Sequence, residues 1–224
     1  MATRAGVERR IACCEVVGPP GAGKTTLLRA LGQTGDGIRA TTGHRSVGRI
    51  DIFARCWASL TPLVLGERRR YSRLERLWML RLEAGWSIAQ RESTTGCSAI
   101  IFDQGPVYTM VRLQEATPLD RRSPAFLQWW DRTAEFWGRS MDLVIMLDAP
   151  DQVLVERVRE RSKTHAIKAL SGVEARRAIA QERSLYDGTI RRLAADGHAQ
   201  LARFDSTRDS VGQIVAAVSK RLGV

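Results

Sequence analysis

The stretch Gly18-Pro19-Pro20-Gly21-Ala22-Gly23-Lys24-Thr25 matches the pattern G-x-x-x-x-G-K-[ST] at every fixed position, and its neighbours give it a structural context. Before it, Ile11-Ala-Cys-Cys-Glu-Val-Val17 is a short, mainly apolar run that reads as a strand buried on both faces. After it, Lys24 to Leu31 places Leu27, Leu28 and Leu31 at helical spacing and stops at Gly32. Strand, glycine turn and helix in that order form an anion site. Glycines 18, 21 and 23 lack a Cβ, so the backbone can turn successive N–H groups inward, and the helix that follows adds its positive N-terminal end. Lys24 is a mobile cation at the phosphates, and the Thr25 hydroxyl can complete a Mg²⁺ shell. The predicted nucleoside triphosphate site therefore comprises Gly18, Gly21, Ala22, Gly23, Lys24, Thr25 and Thr26.

Working outward, Ser98-Ala-Ile-Ile-Phe-Asp103 and Leu143-Val-Ile-Met-Leu147 are two further buried strands. A weaker one is expected at Ile38 to Thr42 and a last one at Gln200 to Phe204. Between them lie helical patterns, from Asp51 to Leu65, from Arg68 to Gln90, around Phe126 to Trp137, after Asp148-Ala-Pro150, from Gly172 to about Ala195 and from Ser210 to Leu222. Asp148 is a candidate cap and Pro150 suits a first turn. Leu74, Leu77, Trp78, Leu82 and Trp86 predict a core stripe on one helix. Alternating strands and helices predict an α/β fold with a mostly parallel sheet covered on both faces, formed by one domain over residues 1–224.

The composition agrees with that class. The chain has 224 residues, 44% hydrophobic and 26% charged, with no apolar run near the ~20 residues that a membrane helix needs and no apolar section behind the N-terminus, so a cytoplasmic location is expected. Cys13, Cys14, Cys56 and Cys97 lack metal-site spacing and read as reduced thiols. A net charge of +11 suits a polyanionic partner, but the longest basic run is only Arg68-Arg69-Arg70, so charge alone names none.

Two more groups carry chemistry. Asp103 ends a buried strand, where a carboxylate beside the glycine loop can hold Mg²⁺ directly or through water, or accept a proton from a hydroxyl acceptor. Were the helix after Pro150 to run on, Arg157, Arg161, His165 and Lys168 would form one basic stripe, suited to the charge that spreads over a phosphoryl group in flight. Arg45 and Arg49, after the weak second strand, are candidates for the acceptor side. Trp57 and Trp86 read as core.

Gly18 to Thr25, Asp103-Gln104-Gly105, Leu147-Asp-Ala-Pro150, Leu154-x-x-Arg157-x-x-x-Arg161-x-Lys163 and Phe204-Asp-Ser-Thr207 together resemble the P-loop kinases of the nucleoside and nucleoside monophosphate kinase type. The resemblance implies a five-stranded parallel sheet, ATP as donor, Mg²⁺, and a helical lid at about 157–172. It matches Arg161 and Lys163 to the family's Arg-x-Arg/Lys lid pair and places the loop at Ser206-Thr207 near the adenine, with Thr207 as the binding candidate. Gln104 stands where many members carry an arginine that helps hold the acceptor.

The function expected is an ATP- and Mg²⁺-dependent phosphotransferase acting on a small nucleoside, nucleotide or other hydroxyl-bearing metabolite. Lys24, Asp103, Arg157, Arg161 and Lys163 are its catalytic candidates, and Thr25 and Asp103 its metal candidates. A nucleotide-dependent switch or nucleic-acid-binding NTPase is the alternative, carried by the +11 charge. The acceptor and the oligomeric state stay open.

Overall fold

The computed structural model describes residues 11–35, 37–42, 60, 63, 71–93, 97–118, 122–195 and 197–224. Five strands, β1 (Ala12–Val17), β2 (Ile38–Thr42), β3 (Ala99–Asp103), β4 (Leu143–Asp148) and β5 (Gln200–Asp205), form one sheet in the order β2-β3-β1-β4-β5. Every pairing is parallel. Helices α1 (Lys24–Gln33), α2 (Arg73–Ser93), α3 (Pro106–Ala116), α4 (Pro124–Ser140), α5 (Asp151–Glu160), α6 (Gly172–Leu193) and α7 (Val211–Leu222) cover the two faces. This is the predicted α/β class, and the strand expected at Ile38 to Thr42 is β2.

Side-chain alternation along the strands divides the core. Cys13 and Val17 of β1, Ile100 and Phe102 of β3 and Val144 and Met146 of β4 face the layer that includes α2, α3 and α4. Cys14, Val16, Ile101, Ile145 and Leu147 face α1, α5 and α7. Both faces bury apolar side chains, which is why the central strands read as continuous apolar runs. Cys13 and Cys14 are buried on opposite faces of β1; Cys56 lies outside the described residues.

Helix termini follow local chemistry. Ser123 caps α4 by accepting from Phe126 N–H, and Ser171–Glu174 and Ser210–Gln213 form reciprocal capping boxes on α6 and α7. Asp148 does not cap α5, contrary to expectation. Its carboxylate accepts from Ala149 N–H at 2.8 Å and from the Arg183 guanidinium at 2.6 and 3.0 Å, which leaves Pro150 at the cap position. The predicted stripe on α2 holds in part: Leu82 is buried and Trp78 packs against the core, but Leu74 is half exposed, and Met79, Leu80 and Ala84 are buried with Glu75 turned inward toward Arg122. Arg122 pairs with Glu75 at 3.0 Å, donates to the Leu113 and Thr117 carbonyls at 2.9 and 3.2 Å, and lies 4.2 Å from the Phe126 ring centre. The helical segment expected from Asp51 to Leu65 lies mostly outside the described residues.

The sheet order fixes where a ligand can sit. From β1 the chain crosses to β2 and β3 on one side and later to β4 and β5 on the other, so a crevice opens at the carboxyl ends of the strands where that direction reverses. The glycine loop after β1, Asp103 at the end of β3 and Asp148 at the end of β4 all stand at that edge.

The buried ion pair gives a stability prediction. Arg122→Ala removes the guanidinium paired with the buried Glu75 carboxylate and should cost about 3 to 5 kcal/mol in urea unfolding, whereas the apolar double replacement Glu75→Leu/Arg122→Met should cost much less. Equal losses in the two proteins would exclude this account.

Candidate active site

The glycine loop is shaped by backbone contacts. Gly18, Gly21 and Gly23 all have positive φ, at 135°, 93° and 96°. A Cβ on Gly18 would lie 2.0 Å from the Leu147 carbonyl oxygen, and one on Gly21 would lie 2.8 Å from that of Leu154, so the loop closes onto β4 and α5 only with glycine there. Gly23 caps α1 with no side-chain acceptor for the first-turn N–H groups. That leaves donors and the positive helix end directed at whatever anion the loop holds.

Lys24 folds back over the loop, donating from Nζ to the Gly18 carbonyl at 2.5 Å and to that of Pro19 at 2.9 Å. Burial lowers its pKa to about 8; Glu182 opposes that shift, while Arg112 and Arg161 add to it. Thr25 and Thr26 are exposed at the start of α1. A cavity of about 410 Å³ opens beside Gly21, Ala22, Gly23 and Thr26, walled opposite by Arg157, Arg161, Ser206 and Asp209.

Arg157, on α5, donates to the Gly21 carbonyl at 3.4 Å and to Ser206 Oγ at 2.8 Å and its carbonyl at 3.3 Å, so it joins the glycine loop to the turn after β5. The continuous basic stripe is not formed. Helix α5 ends at Glu160, and Arg161 is extended at φ −66°, ψ 144°. The chain then bends so that Ile167, in a short 3₁₀ turn (Ala166–Ala169), buries in the core, a contact that a straight helix would forgo. Arg161 still reaches the cavity wall, but Lys163 is exposed and outside it, and the Lys168 ammonium bonds the Arg161 carbonyl. His165 Nδ1 accepts from Ile167 N–H at 3.2 Å. Thr207 also stays out of the cavity wall. Its hydroxyl and N–H donate to Asp205 at 2.6 and 2.9 Å, and Ser206 is the residue of that turn facing the cavity. Arg45, Arg49 and Trp57 lie outside the described residues.

Asp103 is partly exposed and pairs in register with Val16 of β1 and Thr42 of β2, so it flanks the loop that starts at Gly18. Among the described residues no three His, Cys, Asp or Glu side chains converge to hold a metal on their own. A divalent ion here would need oxygens from a bound phosphate as well as Thr25 and Asp103.

Two features were missed in the sequence. Glu15 is fully buried on β1 and accepts from Val107 N–H at 2.7 Å and Tyr108 N–H at 3.0 Å at the start of α3. Burial pushes its carboxyl up to about 8, against the pull of these donors and of Gly105 N–H. One acidic residue in an apolar run was the available signal. The second feature is Arg112 on α3, which pairs with Glu115 at 2.5 Å and with Glu182 on α6. Burial disfavours its charge, but the two carboxylates more than offset that. Both Arg112 and Glu182 act electrostatically on Lys24 across the crevice. No spacing in the sequence links positions 112 and 182.

The fold is shared with solved structures of kinases. Solved structures that share it include deoxyadenosine kinase from M. mycoides with bound dATP, at 14% identity and TM-score 0.55 over 95% of this chain and 100% of that one. Thymidylate kinase from Candida albicans matches at 11% identity and TM-score 0.57 over 96% of this chain and 92% of that one. The YorR protein from Bacillus subtilis, in complex with phosphorylated GDP, matches at 12% identity and TM-score 0.54 over 95% and 96%. No protein-family model matches the sequence, and no curated protein matches it.

The lowered Lys24 pKa sets a pH dependence. The ammonium is the form that attracts a polyphosphate, so affinity for a nucleoside triphosphate should be flat below about pH 8 and weaken by up to tenfold per unit above it. Calorimetric titrations between pH 7 and 10 check this, with Lys24→Met expected to bind weakly and without the inflection.

Proposed function

We propose that this protein transfers the terminal phosphoryl group of Mg²⁺-bound ATP to a hydroxyl or phosphate oxygen of a small acceptor, a nucleoside or nucleotide. One observation carries the reading: Gly21, Ala22, Gly23 and Thr26, at the uncapped start of α1, face Arg157 and Arg161 across one cavity, while Lys24 folds back over the same loop. The residues fit a triphosphate, since the loop offers backbone N–H donors and a cation whose only bonds among the described residues are to the loop's own carbonyls.

In this reading the N–H groups of Gly21, Ala22, Gly23, Lys24, Thr25 and Thr26 bind phosphate oxygens, and Lys24 leaves the Gly18 and Pro19 carbonyls to neutralise the β- and γ-phosphates. Thr25, and Asp103 where it serves the metal, would hold a Mg²⁺ ion, which would supply charge withdrawal from the phosphoryl oxygens. The acceptor oxygen attacks the γ-phosphorus, the bond to the β,γ-bridging oxygen breaks and ADP leaves. Asp103 serves the metal or takes the acceptor's proton. Arg161 approaches from the lid at about 157–172 as the transferring group gathers charge, and Lys163 joins it if that segment closes. Arg157 and Ser206 line the nucleoside end, with Thr207 bracing their turn through Asp205. The unit is one domain over residues 1–224, acting as a soluble, cytoplasmic enzyme; among the described residues no helix is long and apolar enough to cross a membrane.

The kinase names of the structural neighbours support nucleosides and nucleotides as the first acceptors to try. Purified protein with Mg²⁺-ATP and a panel of nucleosides, nucleoside monophosphates and other hydroxylated metabolites should add one phosphoryl mass to one acceptor class. Lys24→Ala should lower that turnover at least about 10³-fold in a folded protein, and Arg161→Ala should lower kcat by about 10²-fold with little change in ATP affinity. Turnover stimulated only by a nucleic acid or a protein would replace this reading with the switch.

A further inference from the structure

Helix α3 begins immediately after Asp103, and its start is built without a cap of its own. The cap position is Gly105, which has no side chain, and Pro106 follows. The acceptor comes instead from another strand. Glu15, which pairs in register with Phe102, sends its carboxyl across to the first turn of α3, with Oε2 accepting from Val107 N–H at 2.7 Å and Oε1 from Tyr108 N–H at 3.0 Å. The fit leaves little room, since a Cβ on Gly105 would lie 2.9 Å from Glu15 Oε2 and 2.6 Å from the Phe102 Cβ.

The segment so held is Asp103-Gln104-Gly105-Pro106. Within it Gln104 has φ +60°, the only positive φ among the described non-glycine residues. A glutamine in the left-handed region persists only where its surroundings hold it there. Here Asp103 is fixed on one side by the β3 ladder, and α3 is fixed on the other by the Glu15 carboxyl, so the turn between them has no freedom to relax.

We infer that Glu15 is a positioning residue for phosphoryl transfer, anchoring the start of α3 to β1 so that Asp103 and the strained Gln104 are held against the glycine loop. Glu15 is fully buried, and its carboxyl oxygens are given to the N–H groups of Val107 and Tyr108. Its effect passes through the turn alone. The inference rests on the role given to Asp103 under the proposed function.

Glu15→Gln tests it, because the side chain keeps its length while one acceptor oxygen becomes an amide donor aimed at a backbone N–H. Expected are a loss of hydrogen-exchange protection of at least tenfold at Val107 and Tyr108 and a fall in kcat of about 10- to 100-fold, as for other small misplacements of a reacting group. Without Mg²⁺, the affinity for a non-hydrolysable ATP analogue should stay within about twofold, since the glycine loop is untouched. The Mg²⁺ concentration that half-saturates tightening of that binding should rise, in the same direction as in Asp103→Asn. A folded Glu15→Gln protein with wild-type kcat and Mg²⁺ dependence overturns the inference. Should Glu15→Gln not fold, Glu15→Asp, a carboxyl one methylene shorter, should show the same changes to a lesser degree; lost amide protection there with wild-type kcat overturns it. Full activity in Asp103→Asn would instead remove the reading on which the inference rests, a result distinct from failure of Glu15 alone.

Discussion

The close approach of two backbones organises this molecule: the Leu147 carbonyl oxygen of β4 sits where residue 18 would carry its Cβ. Because β4 pairs directly with β1, the chain leaving β1 must turn at that carbonyl, and only glycine can make the turn. A second glycine, Gly21, meets the Leu154 backbone on α5 in the same way. The loop's shape is thus imposed by neighbours that belong to later parts of the chain. Its inward-facing donors and the open start of α1 follow from that shape.

Charge is distributed around this loop in a way that serves an anion. Among the described residues Lys24 bonds only carbonyl oxygens, so no carboxylate holds its ammonium. Arg157 is likewise committed to Gly21 and Ser206 atoms without a carboxylate. Arg112 and Arg183, by contrast, are bound to acids, Glu115 and Glu182 in one case and Asp148 and Asp151 in the other. Lysine and arginine at the cavity keep their electrostatic reach, while those that brace helices are neutralised locally. The net charge of +11 does not by itself describe this arrangement.

At the β3–α3 turn two carboxyl groups have different environments. Asp103 is partly exposed at the end of its strand, and Glu15 lies beneath it with both oxygens given to backbone N–H groups. One is available to a ligand, the other to the fold. Arg112, on α3, is held by Glu115 and Glu182 and belongs to the scaffold between α3 and α6.

Much of this was legible in the sequence because it depends on local periodicity. The five strands, several of the helices between them, the glycine loop and Asp103 announce themselves through apolar continuity or fixed spacing, whereas the helix Pro106–Ala116 carries no such signal and was not expected. What failed depended on contacts between distant segments. The stripe from Arg157 to Lys168 presumed a helix that Ile167 breaks by burying; Leu74 was assigned to a core that Glu75 enters in its place. Thr207 and Ser206 are adjacent, and only the turn after β5 decides which one faces the cavity. Sequence alone determined the strand–loop–helix unit and the class of fold, since glycine's freedom and two-sided burial act over neighbouring residues. The partnership of Glu15 with α3, of Arg112 with Glu182 and of Arg157 with Ser206 was decided by tertiary structure, because a hydrogen bond across 49 to 93 positions leaves no periodic trace in the chain.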